Sequence, residues 1–449
     1  MRAGLCALFC LVGLAAQGLA SNIPGLSDEH IAKYEAMDEA ARVKIMIQLA
    51  KGGAENQAEQ LLAAYPLTGP HAENRTLFIE GLIFNARGNH PAAAQKFRDA
   101  LASDPKLTLV RSELAQTLVV MNEDRSAKHH LRLLEGDTDN ARDAAGIRAF
   151  IDRIDARRPY SFSAYASVAP STNINNGSGQ STVYSPVFGS EVPIDAASQA
   201  KQGYSISTGV SGSYNFRLSE DFAFIAAGGI DTRIYDDLDL NAVSISQSLE
   251  LRRFFQNGYL GFGAVASQTI NTDEVELASL SYGPRISGQL RLTTRDSIAA
   301  SSTYEFRDFD ADGSHDGTSW TSDLSWAHAF SSDLTSTIYG GYDVIDNGVG
   351  FLSFNTVAGG LQVYREFSHG ISATITGEAR FTGFDSVNPL AGVIRQDRRL
   401  IGGITLTKRD LNFFGFAPAL NYTYVNNASN ISLYDYDSHA LDFRLTKDF

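Results

Sequence analysis

The acidic stretch DFDADGSHDG at residues 308–317 has the spacing of the first half of a calcium-binding loop. Carboxylates at alternate positions supply the oxygen ligands that Ca²⁺ prefers. Such loops end in a bidentate glutamate at position 12, and this position is Ser319 here. The favoured interpretation is therefore a solvated acidic loop, and weak Ca²⁺ binding that bridges the loop to anionic lipopolysaccharide is the alternative. The candidate ligands are Asp308, Asp310, Asp312 and Asp316.

Catalytic motifs are absent from the sequence. It contains no G-x-x-x-x-G-K, no G-x-S-x-G and no H-E-x-x-H segment. The nine histidines are scattered. His328 and His439 are the candidates for a serine–histidine enzyme at a lipid-facing rim, but nothing in the sequence pairs either with a serine. We therefore predict a protein that is not an enzyme and that holds no cofactor.

The first 20 residues have the composition of a secretory signal peptide. A single basic residue, Arg2, precedes an apolar stretch, and Gly18 and Ala20 precede the predicted cleavage point. Cys6 and Cys10 both lie in this segment, so we expect the mature chain to lack thiols. Beyond it no apolar run reaches 18 residues, which predicts that no helix crosses a membrane.

Residues 21–158 form a predicted helical domain, rich in Ala, Leu, Glu, Arg and Gln. Breaks are expected at residues 52–53, Pro66, residues 88–89, Pro105 and Gly136. The unit that starts at Asn74 has the landmark spacing of a tetratricopeptide repeat, in which small residues let two helices approach and aromatic residues fill the space between repeats. Residues 38–65 and the unit from Thr108 are weaker helix pairs, and an ordinary helical bundle is the alternative. The predicted packing residues are Gly81, Phe84, Ala93, Phe97, Ala100 and Pro105.

Residues 159–449 change to short runs of alternating apolar and polar residues, which is the period of a β-strand with one oily face. Strands of about 9–11 residues are long enough to cross a bilayer when they are tilted. The predicted strands are 161–170, 203–216, 222–234, 242–255, 258–270, 277–292, 297–307, 318–330, 334–345, 353–367, 370–384, 398–408, 415–425 and 438–449.

The connections between these strands predict a closed barrel in an outer membrane. Short turns alternate with longer polar loops such as 171–202, 385–397 and 426–437, as they do between the periplasmic and external ends of such barrels. An even number of strands returns both barrel ends to one side, so the helical domain is expected in the periplasm. A soluble β-sandwich is the alternative, and the charges of Glu378 and Arg380 on polar faces argue against it because a sandwich core would bury them.

The last strand carries a predicted barrel-insertion signal. Its apolar face holds Phe443, Leu445 and the final residue, Phe449. An aromatic residue at the end of the final strand is typical of outer-membrane barrels and of their aromatic girdle. We therefore expect contacts with outer-membrane lipids, lipopolysaccharide and the barrel-insertion machinery, and periplasmic chaperones are further candidate partners.

The junction RRPYSFSAYASVAPSTNINNGSG, residues 157–179, resembles the start of the barrel in the surface lipoprotein assembly modulator (Slam) family. The stretch Asn173, Ile174 and Asn175 carries most of this resemblance. The resemblance covers helical repeats followed by a barrel of about 290 residues. It implies an outer-membrane translocator that delivers lipoproteins or soluble proteins to the cell surface.

The predicted mechanism has two parts, in which the repeat domain captures secreted or lipoprotein cargo and the barrel passes it across the outer membrane of a Gram-negative bacterium. Polysaccharide export and a general porin with periplasmic repeats are the alternatives. Residues 160–449 hold 31 acidic and 18 basic residues, and the chain has a formal net charge of −14. No basic patch for nucleic acid is present.

Overall fold

The structure is a computed structural model that describes residues 27–448, apart from residues 139, 158, 237–240, 273–275, 310–312, 368–370, 409–410 and 412–415. The chain divides into two compact units, with the boundary between Leu134 and Glu135. The predicted signal peptide lies outside the described residues.

The described part of the amino-terminal region is helical, as predicted. Helix pairs α2–α3, α4–α5 and α6–α7 fall on the three predicted pairs. The break expected at Gly136 is wrong, because α7 continues through this residue. The described helices are α1 Asp28–Glu35, α2 Glu39–Lys51, α3 Glu55–Ala64, α4 Ala72–Ala86, α5 His90–Ser103, α6 Thr108–Val120, α7 Asp124–Asp137 and α8 Ala141–Arg157.

Local sequence signals explain where these helices begin and end. Asp38 caps α2 by accepting a 2.7 Å hydrogen bond from the backbone N–H three residues on. Asn89 caps α5 in the same way, and Pro91 occupies its first turn, where no backbone donor is required. Gly53 and Gly88 follow α2 and α4 with left-handed backbone angles that favour glycine. Among the described residues, no helix combines the length and hydropathy needed to cross a bilayer.

Fourteen antiparallel strands form one closed barrel, which confirms the predicted fold class and excludes the β-sandwich. Each strand pairs with its chain neighbours, and β1 pairs with β16 to close the sheet. The barrel strands are β1 Tyr160–Ser171, β4 Gly203–Arg217, β5 Phe222–Tyr235, β6 Ala242–Phe255, β7 Gly258–Asn271, β8 Glu276–Arg291, β9 Asp296–Asp308, β10 Gly317–Ser331, β11 Leu334–Asn347, β12 Phe354–Glu366, β13 Ile371–Val387, β14 Ile394–Lys408, β15 Ala417–Ser429 and β16 Tyr436–Asp448.

The alternation of short turns and longer loops holds in most of the barrel. However, the connection 409–416, predicted with the short turns, is as long as any of the loops from β4 onward, and several loops are shorter than predicted. Strand β13 continues to Val387 and β15 continues to Ser429, so the expected loops 385–397 and 426–437 shrink to residues 388–393 and 430–435. The connection between β1 and β4 is long, and it contains a hairpin of β2 Thr182–Ser185 and β3 Ser190–Pro193 that the sequence did not predict.

The two faces of the barrel differ in polarity as the strand period requires. Large apolar side chains point outward and are solvent-exposed in the isolated chain, for example Phe262 at 66% and Ile375 at 56%. Their strand neighbours are polar or small and point inward. An apolar outer belt around a polar interior is the arrangement of a transmembrane barrel.

Candidate functional site

The barrel interior contains long polar side chains that lie flat against the wall. Tyr165 on β1 donates a hydrogen bond of 2.8 Å to the Asp231 carboxylate on β5. Gly209 on β4 lies between them, and a Cβ atom at this position would meet both the tyrosine ring and the carboxylate. The absence of a side chain at Gly209 therefore lets Tyr165 run along the wall instead of across the lumen.

The same arrangement occurs at two other places in the barrel. On β6, the Glu250 carboxylate lies over Gly261 of β7 and accepts a 2.9 Å hydrogen bond from Ser287 of β8. A third example joins β11 to β13, where Tyr339 donates a 3.0 Å hydrogen bond to Glu378 across Gly360 of β12.

The sequence prediction did not single out these three glycines. A glycine inside a strand usually marks a close approach of other atoms. That signal was visible in the sequence, but the partners depend on strand register, which one sequence does not give.

Two arginines that face the interior form ion pairs along the wall. Arg380 pairs with Glu378, and Arg444 pairs with Asp442 at 2.9 Å while its guanidinium lies 4.8 Å from the Tyr165 ring centroid. Pairing holds long side chains in one position and lowers the cost of charge in a partly enclosed space.

Small residues line the wall next to these pairs. Ser161 and Ser163 on β1 share hydrogen bonds of 2.8 and 2.7 Å with Ser213 and Ser211 on β4. Short hydroxyl side chains satisfied by each other leave the adjacent lumen open. Together with the flat side chains, they give a barrel interior lined by polar groups that are held at its wall.

The family-type motif at Asn173–Asn175 fastens the long first loop to the barrel. The Asn173 side-chain amide donates to the Gly177 carbonyl at 2.9 Å and to the Asp437 carbonyl of β16 at 3.2 Å. Its oxygen accepts from the Gly177 N–H at 3.0 Å. Asn175 donates to the carbonyls of Ala197 and Gln199 at 2.9 and 2.7 Å, and the backbone N–H of Ile174 donates to Lys201 at 2.8 Å.

The hydrogen bonds of Asn173, called the Asn173 latch below, lie close to the point where the pairing of β1 with β16 is interrupted. Strand β1 pairs with β16 from Ser163 to Val168 and again at Ser171, while the intervening Ala169 and Pro170 have no register partner on β16 in the described barrel. Proline lacks a backbone N–H, which accounts for part of the gap. Beyond Ser171 the backbone N–H of Thr172 still donates to the His439 carbonyl at 3.0 Å, and the Asn173 side chain adds further hydrogen bonds at this end of the closure.

The calcium candidates are only partly described. Asp308 ends β9, and Asp316 accepts a 2.7 Å hydrogen bond from the Phe309 backbone N–H. Asp310 and Asp312 lie outside the described residues. Within the part of the chain that the structure describes, no cluster of three or more His, Cys, Asp or Glu side chains is placed to hold a metal ion.

The predicted insertion residues Phe443 and Leu445 point outward, with 54% and 49% of their surface exposed. Phe449 lies outside the described residues. The two candidate catalytic histidines also lie on the outer face. His328 contacts Asp296 at 2.8 Å, and His439 contacts the Tyr422 hydroxyl at 2.8 Å.

In the helical unit, the predicted packing residues meet between α4 and α5. A Cβ atom at Gly81 would meet the Phe97 ring, and Phe97 is fully buried 6.0 Å from the ring of Phe78. Ala93 and Ala100 are fully buried in the same layer, Phe84 is half-buried, and Pro105 follows the end of α5. The assignment to tetratricopeptide repeats stays a prediction.

A closed barrel with an apolar outer belt and a polar lumen, preceded by a helical region, defines an outer-membrane barrel protein. Residues 160–449 match the sequence profile of the family described as Surface lipoprotein assembly modifier. This match covers more than half of the chain, and the chain belongs to that family. The resemblance inferred from the sequence is therefore confirmed.

One relative extends the similarity to both parts of the chain. The hemophilin secretion modulator of Acinetobacter baumannii is 21% identical over 425 aligned residues, which cover 83% of this chain and 79% of that protein. Family and relative confirm the predicted outer-membrane protein of a Gram-negative bacterium that delivers proteins to the cell surface.

Two solved barrels are also similar. The outer membrane channel DcaP of Acinetobacter baumannii has a TM-score of 0.39 at 10% identity, over 65% of this chain and 96% of that chain. A FadL homologue of Pseudomonas aeruginosa has a TM-score of 0.34 at 12% identity, over 68% of this chain and 91% of that chain.

Proposed function

We propose that the helical domain, residues 21–158, captures an unfolded or partly folded secreted protein or lipoprotein in the periplasm, and that the barrel, residues 159–449, passes it to the cell surface. The repeat-like packing of α4 against α5 supports the capture role, because stacked helix pairs present extended surfaces to peptides. The protein acts as a passage and not as an enzyme.

The observation that carries this proposal is the set of side chains held flat against the lumen wall. Tyr165, Glu250 and Tyr339 each cross a glycine to reach a partner on the next strand but one. A barrel of this size whose long inward side chains are held at its wall has space for an extended or hairpin polypeptide segment, and not for a folded domain.

Deletion of the gene in its own host tests the function. Intact cells are treated with protease, and the released peptides are compared between wild type, deletion strain and complemented strain. We expect one or a few surface proteins to lose protease accessibility in the deletion strain while their periplasmic amounts rise. Unchanged accessibility of every surface protein would support a general porin instead.

A further inference from the structure

A cavity of about 210 Å³ is set into the lumen wall across β6, β7 and β8. It exists because β7 presents glycines here, and a Cβ atom at Gly261 would meet both the Glu250 carboxylate and the Ser287 hydroxyl. Its volume equals that of several water molecules and suits one amino-acid side chain, not a domain. The polar side chains that line it are Ser248, Glu250, Arg252, Tyr259, Arg285 and Ser287.

Glu250, the acidic side chain that lines this cavity, already has a hydrogen-bond partner and an ion-pair partner. Glu250 is 8% exposed, accepts a hydrogen bond from Ser287 and pairs with Arg252. The guanidinium of Arg252 in turn lies 4.4 Å from the centroid of the Tyr259 ring. These contacts fix both members of the pair and leave the Glu250 charge neutralised.

Arg285 stands apart from this pair. Its guanidinium donates a long hydrogen bond of 3.5 Å to the Thr303 hydroxyl of β9. It forms no ion pair with any of the acidic side chains that the structure describes. One glutamate and two arginines leave the cavity with a net charge of +1, located at Arg285.

We propose that this cavity binds a carboxylate group, held by Arg285 with the Ser248 hydroxyl also lining the cavity. An arginine fork matches a carboxylate with two parallel hydrogen bonds, and the pairing is strongest where water is partly excluded. The proposal rests on the proposed function, because the carboxylate is then an acidic side chain of a polypeptide in the lumen. The site would bind each acidic side chain of the cargo weakly as that side chain passes it.

The test uses the purified full-length protein in planar lipid bilayers, with ion conductance as the readout. The probes are two unstructured peptides of about 20 residues, and each is longer in its extended form than the bilayer core is thick. The two peptides are identical except that one has aspartate and the other asparagine at the central position. Sodium acetate is the third probe and represents a free carboxylate. The variants are Arg285→Gln, Arg285→Lys and the matched control Arg233→Gln, which removes a lumenal arginine of β5 that donates to Ser207 at 3.3 Å.

We expect the aspartate peptide to block the wild-type conductance at a concentration about tenfold lower than the asparagine peptide. Arg285→Gln should abolish this difference, Arg285→Lys should reduce it, and Arg233→Gln should leave it intact. If millimolar acetate competes with the aspartate peptide, both bind at the same site. If acetate blocks the conductance as tightly as the aspartate peptide does, the site binds free carboxylates and not acidic side chains of a polypeptide.

Two results would count against the site in different ways. Equal block by the two peptides, or a difference that survives Arg285→Gln, overturns the carboxylate site while the passage itself stands. If neither peptide blocks wild type at any concentration, the lumen admits no extended polypeptide, and the proposed function fails as well. Each variant is first checked for the change of gel mobility on heating that a folded barrel shows.

Discussion

The hydroxyl of Tyr165 on β1 reaches the carboxylate of Asp231 on β5 at 2.8 Å, and the intervening strand β4 lets it pass only because residue 209 is glycine. The tyrosine thereby spans three strands along the wall and stays out of the lumen. This relationship joins β1, which closes the barrel, to β5 through a side chain that lies along the wall.

Replacement of Gly209 should therefore narrow the passage without unfolding the barrel. In Gly209→Leu the new side chain displaces Tyr165 toward the lumen, at an overpacking cost of about 1–3 kcal/mol in the free energy of unfolding. The conductance of the purified protein should fall relative to wild type. Gly402→Leu is the control for an added leucine on the outer face of the barrel, because Gly402 shares the outward face of Leu400 and Ile404 and a Cβ atom there meets nothing within 4 Å. Equal conductance of the two variants would contradict the interpretation that Gly209 keeps the Tyr165 side chain at the wall.

The Asn173 latch should stabilise the end of the closure where β1 and β16 lose their pairing. Asn173 is 4% exposed, and Asn173→Ala removes its hydrogen bonds to the buried Gly177 and to the Asp437 carbonyl. We expect a loss of about 1–3 kcal/mol in the free energy of unfolding and faster proteolysis of the first loop. Gln180→Ala, at an exposed position of the same loop, should change neither quantity. Proteolysis at the wild-type rate in Asn173→Ala would show that the loop is held by other contacts.

Two helical glycines should respond oppositely to alanine. A glycine in a helix interior ordinarily costs about 1 kcal/mol relative to alanine, so Gly146→Ala in α8, where the new methyl meets nothing within 4 Å, should stabilise the protein. Gly81→Ala places its methyl against the buried Phe97 ring and should destabilise it by about 1–3 kcal/mol. Thermal unfolding followed by circular dichroism distinguishes the two, and stabilisation by both would show that α4 and α5 are not closely packed.

Because the outer belt faces lipid, the cost of adding a charged side chain to a strand should depend strongly on which face of the strand carries it. Ile338 lies in the middle of β11, points outward and is 50% exposed, whereas Thr337 beside it points inward. Ile338→Arg should cost roughly 2–4 kcal/mol in lipid and reduce the yield of heat-modifiable protein in membranes. Thr337→Arg should insert normally. Normal insertion of both variants would argue against a lipid-facing belt.

Acid should weaken the helical unit through Glu39. Hydrogen bonds donated by the Thr68 hydroxyl at 2.7 Å and backbone N–H at 3.0 Å, with Arg75 at 2.8 Å, hold the pKa of Glu39 below its ordinary value. A depressed pKa in the folded state stabilises the fold above the unfolded value, about 4.3, and this contribution is lost as the pH falls through the lower folded value.

The measurement is thermal unfolding of the helical signal of the full chain over a pH series. In Glu39→Gln the loss of stability below about pH 4 should be smaller than in wild type. Glu73→Gln serves as the matched substitution on a neighbouring helix and should follow wild type. An identical pH dependence in wild type and Glu39→Gln would show that Glu39 does not contribute to the loss of stability in acid.

Period and composition predicted much of this fold, as β4 illustrates. Val210 and Ser211 face opposite sides of one strand, and that alternation alone places one in lipid and the other in the lumen. Strand ends were harder to predict, because β13 continues through Asp385 and Ser386, polar residues that are as typical of a loop as of a strand. The ties across Gly209, Gly261 and Gly360 depend on which residues become neighbours on adjacent strands, and this follows from register and not from local pattern.

The central claim is that proteins reach the cell surface through this lumen. Its most direct test complements the deletion strain with wild type, Gly209→Leu or Gly402→Leu at equal levels of folded barrel and measures protease accessibility of surface proteins on intact cells. We predict that wild type and Gly402→Leu restore the lost accessibility and that Gly209→Leu does not. Full restoration by Gly209→Leu, in a barrel whose conductance it has reduced, would contradict delivery through the lumen.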